Sequence, residues 1–151
     1  MLRVISVDEA QEILTDVIRE DFENSFSKQL GLVLSPNWDA YRAIEKYGFL
    51  HSVVAEHDGK PVGYAIVIFC KSNHYDAMCA TVDALWVLEK FRSKSRVGTM
   101  LIKEIEREAK LRNADLINFH FQKYGNLDII LSRCGYLFTD VIMSKRISYG
   151  H

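Results

Sequence analysis

The sequence predicts an α/β fold, an α+β mixed sheet with helices on both faces, in the order β-α-α-β-β-β-α-β-α-β. Three observations carry this expectation. Amphipathic stretches of helical period alternate with β-rich runs, and an Asp58-Gly59 pair joins two such runs as a hairpin. From Ala77 to Phe121 a strand, a helix and a strand follow one another, which calls for a parallel crossover. At 151 residues and 48% hydrophobic composition the chain suffices for one domain, residues 1–151, with a real core. Its two prolines and scattered glycines mark no linker, and no internal repeat is visible.

Each element has its own signal. "LRVIS" reads as a short strand. In "VDEAQEILTDVIREDFENSF" Ala10, Ile13, Leu14, Val17 and Ile18 recur at helical spacing, with Asp8 and Glu9 suited to the positive end of the helix. "SPNWDAYRAIEKYG" opens on a Ser35-Pro36 start signal and stops at Gly48, a second helix. "FLHSVVAEHDGKPVGYAIVIFC" is the hairpin, and "AMCATVDALWVL" is a third long strand reached through "KSNHYD". From Val97 to Arg112, Val97, Leu101, Ile105 and Ala109 form one apolar stripe. "ADLINFHF" is the next strand, "NLDIILSRCG" the last helix, and "YLFTDVIMSKRI" carries the final strand or strands.

Composition narrows the function. A net charge of −1 and no basic stripe interleaved with aromatics argue against nucleic acid as a partner, including a binder built on the basic loop alone. Three widely spaced cysteines without a C-x-x-C pair suit neither a disulfide framework nor a zinc site, so no metal is expected and a reducing cytoplasm fits. The first residues turn charged too early for a signal peptide. "YAIVIFC" is too short to span a bilayer, so no membrane association is expected.

The basic run "VLEKFRSKSRVGTMLIKEIE" lies between the third strand and the amphipathic helix. A helix N-terminus offers unpaired N–H groups and the positive end of the macrodipole, so it binds phosphate. Ser95 can cap, Gly98 admits a ligand to the first turn, and Arg92, Lys94 and Arg96 add cations fit to grip a pyrophosphate. A solvated basic turn that starts a helix explains the same residues. It is neither a Walker A loop nor a G-x-G-x-x-G loop, since those glycines are missing.

The full pattern resembles the GNAT superfamily of acyl-CoA-dependent N-acyltransferases, small bacterial or phage members above all. Three local features carry the resemblance: the strand closing on "LWVLEKFR", the loop "RSKSRVGTMLI" where the family has a Q/R-x-x-G-x-G/A pyrophosphate signature, and "LSRCGYLF" where it often ends a helix on Y-x-x-x-G-F. The resemblance implies a GNAT-like fold, acetyl-CoA as cosubstrate, and an amine acceptor, either a small molecule or a protein lysine or N-terminus. A homodimer is compatible with it. The cofactor segment it implies runs over Arg92, Ser93, Lys94, Ser95, Arg96, Val97, Gly98 and Thr99, with backbone groups of Leu85, Trp86 and Val87 at a bulged strand end facing pantetheine and the carbonyl oxygen. The signature is degenerate: Ser93 stands where Gln or Arg is expected and Arg96 where the first glycine is expected. Leu131 occupies the position of the tyrosine that protonates the CoA thiolate in many members. Tyr124 replaces a common asparagine, with Asn126 two residues on.

Acyl transfer to an amine needs a free amine, a polarised thioester carbonyl and a tolerable leaving thiolate. Asp83, an aspartate inside an apolar strand, is the candidate base; a carboxylate pointing into water or capping nearby backbone is the plainer reading. Glu89, at the strand end, is a second carboxylate candidate. His120, in "NFHFQ", could relay protons or be a satisfied strand histidine. Trp86 reads as core packing. Cys79 and Cys134 read as core filling. The acceptor is expected between the first two helices and "KSNHYD", where Glu20, Asp21 and Glu23 would attract a cationic amine such as a polyamine, an aminoglycoside or a protein lysine, unless they simply solvate a helix end. A GNAT-fold binding module without turnover is the alternative to an enzyme.

Overall fold

The computed structural model describes residues 1–93, 95–122 and 125–148. Within them the order is β1 (Leu2–Val4), α1 (Val7–Ile13), α2 (Thr15–Glu23), α3 (Phe26–Gln29), α4 (Trp38–Lys46), β2 (Leu50–His57), β3 (Lys60–Lys71), β4 (Met78–Val87), α5 (Glu89–Arg92), α6 (Val97–Leu111), β5 (Leu116–Phe119) and α7 (Leu127–Arg133). The five strands form one sheet in sequence order. β1 to β4 pair antiparallel and β4 pairs with β5 in parallel, so the expected crossover is formed through α6. Asp58 and Gly59 take φ of 50° and 71°, the left-handed pair that a two-residue hairpin turn requires.

Period-2 alternation sends the strand side chains to two apolar layers. On one face Val53, Ala65, Val67 and Val82 pack against Leu101, Ile105 and Ala109 of α6, the stripe read from the sequence. On the other, Val54, Tyr64 and Ile66 meet Ala10, Leu14 and Val17 of α1 and α2, with Trp38, Tyr41 and Ile44 of α4 alongside. Helices therefore cover both faces, as expected.

Two short helices, α3 and α5, are additional to the expected order, and three expected elements differ. The first helix is broken at Leu14, a fully buried residue at φ −94° and ψ 1°. Next to the break, the Thr15 hydroxyl donates back to the Gln11 carbonyl at 3.5 Å, a bond that bends helices. The second helix starts three residues later than Ser35, because Asn37 is the residue whose Oδ1 accepts from Ala40 N–H at 3.0 Å. The final strand expected within Tyr136–Ile147 is not formed among the described residues. Its apolar side chains, Leu137-Phe138 and Val141-Ile142-Met143, remain exposed instead of packing on either face of the sheet. Arg146 instead ties this segment to the end of α3 by donating to the Leu30 carbonyl at 3.2 Å.

One glycine sets how α6 meets the sheet. A Cβ on Gly63 of β3 would lie 2.9 Å from the Trp86 carbonyl oxygen and 3.3 Å from side-chain carbons of both Val87 and Val97. Gly63→Ala is thus expected to destabilise the fold by about 1–3 kcal/mol through overpacking against backbone. A urea midpoint indistinguishable from the parent's would show that the first turn of α6 is not seated so closely.

Candidate active site

The site begins where β4 outruns β5. The parallel ladder ends at Val82–Phe119, and no described strand pairs with the β5-facing edge of β4 from Asp83 to Val87. On the other edge, Leu88 N–H donates to the Val62 carbonyl at 2.9 Å. Alternation then turns the backbone of Trp86 toward β3 and that of Leu85 and Val87 toward the open edge. Of the three residues expected to offer backbone groups, Leu85 and Val87 turn theirs to the open edge, where the Val87 carbonyl accepts from Arg92, and Trp86 spends its own in the sheet. The bulge lies upstream of the expected place. Ile66 pairs with Ala84 and Val67 with Val82, which leaves Asp83 without a partner across the ladder.

Asp83 is therefore exposed rather than buried in an apolar strand, and its carboxylate accepts from the Tyr41 hydroxyl at 2.5 Å. Burial and this carboxylate hold the Tyr41 phenol well above the ordinary tyrosine range. Next to it, the Tyr64 hydroxyl donates to Asp21 Oδ2 at 2.8 Å, and Tyr64 too is raised by burial and by Asp21. Burial pushes the Asp21 carboxyl upward against the opposing effects of the Tyr64 hydroxyl and Arg92. Glu20 Oε1 accepts from Trp86 Nε1 at 3.3 Å and from the Glu89 N–H at 2.8 Å, so the end of α2 is fastened to the end of β4. A cleft of about 370 Å³ opens here, lined by Asp21, Phe22, Tyr41, Tyr64 and the Leu32–Pro36 stretch. Two phenol–carboxylate pairs thus stand beside β4, with both tyrosines lining the cleft. Tyr41 and Tyr64 carried no signal beyond their apolar periodicity, and sequence reasoning missed them. The "KSNHYD" loop joins the opposite end of β4 and takes no part in the cleft.

Asp21 gives a pH prediction whose sign follows from its raised pKa. A carboxyl raised on folding favours the fold below its unfolded pKa, and that contribution is lost as pH rises through the folded value. At pH 7 Asp21→Asn is therefore expected to melt at or above the parent temperature, with the gap closing below pH 4. A variant that melts lower at pH 7 would mean that ionised Asp21 is a net stabiliser.

At the other end of the open edge stands α6. Arg96 is its N-cap residue, no side chain caps it, and its first intrahelical bond runs from Met100 N–H to the Arg96 carbonyl. The N–H groups of Gly98 and Thr99 thus have no helical acceptor, while that of Val97 lies 3.5 Å from Ser95 Oγ. The Ser95 hydroxyl itself donates to the Phe91 carbonyl. Among the described residues a Cβ on Gly98 would meet Val87, at 4.0 Å, which places the helix start beside the end of β4. Arg96 is exposed, as are Ser93 and Thr99.

Arg92 is held elsewhere: its guanidinium lies 3.9 Å from the Trp86 ring centroid and its Nε donates to the Val87 carbonyl at 2.7 Å. It faces the strand edge rather than the helix start. Glu89 opens the short helix α5 and is exposed. His120 is not mid-strand; it follows Phe119, exposed, one step past the last ladder pair and so level with Asp83 where the strands part. Asn126 is the exposed N-cap residue of α7 and makes no side-chain cap. Lys94 and Tyr124 lie outside the described residues. Cys79 is buried as expected, but Cys134 is exposed at the end of α7. Leu131 is in the core at 4% exposure.

Comparison with known proteins agrees with this fold. The chain is similar in fold to a ribosomal-protein-alanine N-acetyltransferase from Brucella melitensis biovar Abortus 2308 (15% identity, 99% of each chain, TM-score 0.65). It is also similar to an aminoglycoside acetyltransferase from an uncultured soil metagenomic sample (18% identity, 98% of each chain, TM-score 0.73). A third likeness is to the glucosamine-6-phosphate N-acetyltransferase of Arabidopsis thaliana (17% identity, 98% of each chain, TM-score 0.68). Among curated proteins none matches this sequence. No helix among the described residues is long and apolar enough to cross a membrane. The model of the acetyltransferase (GNAT) family matches residues 12–135, and with a strand edge opening onto an uncapped helix start, the chain belongs to the GNAT family of acetyltransferases.

Proposed function

We propose that the chain is an N-acetyltransferase that moves the acetyl group of acetyl-CoA to a primary amine by direct attack in a ternary complex. The observation that carries this reading is the open edge of β4, which runs from a carboxylate, Asp83, past the backbone of Leu85 and Val87 to the free amides of α6. The α6 amides and Arg96 would hold the pyrophosphate. Pantetheine would follow the strand edge, and an N–H of Leu85 or Val87 would polarise the thioester carbonyl. Arg92, now on the Val87 carbonyl, would yield that position or turn to the phosphates.

The acceptor enters from the cleft of Tyr41 and Tyr64. Asp83 takes the ammonium proton, the amine nitrogen attacks the carbonyl carbon, and collapse of the tetrahedral adduct breaks the C–S bond. The departing thiolate collects its proton from water, since Leu131 has none to give. Glu89, at the start of α5, and His120, level with Asp83, would be reserve proton carriers. Asp21, Asp83 and Glu20 favour a cationic acceptor, for which an aminoglycoside, a polyamine and a protein N-terminus or lysine are the classes to try. Leu131 also favours one alternative: a GNAT-fold module that binds acyl-CoA without turnover. An acceptor screen that follows release of free CoA separates the two. Release above the hydrolysis background with any amine supports the enzyme; binding of acetyl-CoA without release from any amine class supports the module.

A further inference from the structure

His51 of β2 is 5% exposed, faces α6 rather than the active-site cleft, and serves none of the chemistry above. Its Nε2 has no hydrogen-bond partner among the described residues. Two carboxylates one helical turn apart on α6 converge on it. Glu104 Oε1 lies 3.3 Å from Nε2 and Glu108 Oε1 lies 3.8 Å from Nδ1, and both side chains are largely withdrawn from solvent, at 14% and 15% exposure. One ligand atom from each of the three residues can be chosen so that all lie within 4.8 Å of one another.

We propose that His51, Glu104 and Glu108 form a structural site for a first-row divalent cation, Zn²⁺ or Mn²⁺ in kind, that ties β2 to α6. An ion about 2.0–2.2 Å from each ligand needs ligand atoms about 3–4 Å apart and takes one ring nitrogen only; with Nε2 as that ligand, Glu104 is already in range and Glu108 has to turn in from the Nδ1 side of the ring. One imidazole and two carboxylates suit Zn²⁺ or Mn²⁺ better than Ca²⁺ or Mg²⁺, which prefer oxygen alone. Water would fill the remaining positions.

Two guanidinium groups now balance the carboxylates. Arg107 donates to both oxygens of Glu104, at 2.8 and 2.6 Å, and Arg112 donates to Glu108 Oε1 at 2.7 Å. They differ in tenure. Arg112 is also held against the Phe69 ring at 4.4 Å and on the Gly48 carbonyl at 2.6 Å. Arg107 is half exposed and approaches from outside, so it can swing into solvent as a cation enters. It is a competitor of the ion rather than a part of its site.

Calorimetric titration of the EDTA-stripped full chain with ZnCl₂ and with MnCl₂ tests this. Binding of one ion per chain is expected with at least one of the two. Glu104→Gln and Glu108→Gln should each weaken it by about 10-fold or more, while Arg107→Gln should tighten it. Both glutamine variants keep the helix, so the result does not depend on whether His51→Asn folds. Absence of one-to-one binding with either ion, or binding untouched by both glutamine variants, overturns the site. Weaker binding in Arg107→Gln overturns the competition.

Discussion

Asp83→Asn is expected to lower kcat/KM by about 10²–10⁴ while leaving acetyl-CoA affinity nearly unchanged. Asp83 is the unpaired residue of the β4 bulge, and it is the bulge that frees its side chain to face α4 instead of the core. Asparagine keeps the shape and an oxygen for the Tyr41 hydroxyl, so α4 should stay in place and only the charge be lost. The remaining activity should shift to alkaline pH, because an amine already deprotonated needs no base. Full turnover at neutral pH in Asp83→Asn would assign this carboxylate to anchoring Tyr41. The proton would then pass to Glu89, to His120 or to ordered water.

The second large effect is expected at the start of α6. Arg96 is exposed at the N-cap with its side chain unengaged among the described residues, and the amides of Gly98 and Thr99 beside it have no helical acceptor. Arg96→Glu places an anion where the bound pyrophosphate would lie and should weaken acetyl-CoA by about 10²-fold, the combined effect of a lost charge-assisted hydrogen bond and a like-charge contact. Acetylpantetheine, which lacks the pyrophosphate, should lose far less. Equal losses for the two ligands would place the phosphates elsewhere.

What the sequence disclosed and what it hid divide along physical lines. Leu101, Ile105 and Ala109 announced α6 because a helix half-buried on one stripe writes its period into the sequence, and Asp58-Gly59 announced the hairpin because few residues accept its positive φ. The start of α6 was legible in the same way, from Gly98 and the run of cations before it, but its missing cap was not: Ser95, read as a cap, turns its hydroxyl to the Phe91 carbonyl and Arg96 takes the N-cap position. The bulge was not: which strand residue is left unpaired depends on register with β3, and nothing local to Asp83 records Ile66 and Val67 across the ladder. The tyrosines at the cleft were hidden for a similar reason. Tyr41 and Tyr64 look like core aromatics in sequence, and only the meeting of α4, β3 and α2 brings their hydroxyls to Asp83 and Asp21. The C-terminal segment misled because Leu137, Phe138, Val141 and Ile142 are strand formers by propensity. Propensity does not supply a partner edge: the equally unalternating run of β3 lies paired between β2 and β4, while these side chains stay exposed.

On the proposed reading, the open edge of β4 and the N-terminal amides of α6 together hold acetyl-CoA. Thermal melting with and without acetyl-CoA tests it most directly, since a ligand that binds the fold alone stabilises it by mass action. At about 100 times its Kd the ligand should add about 2.7 kcal/mol, a rise in Tm of about 5–10 °C for a chain of this size. A Tm that does not move with acetyl-CoA or with any other acyl-CoA would contradict the claim.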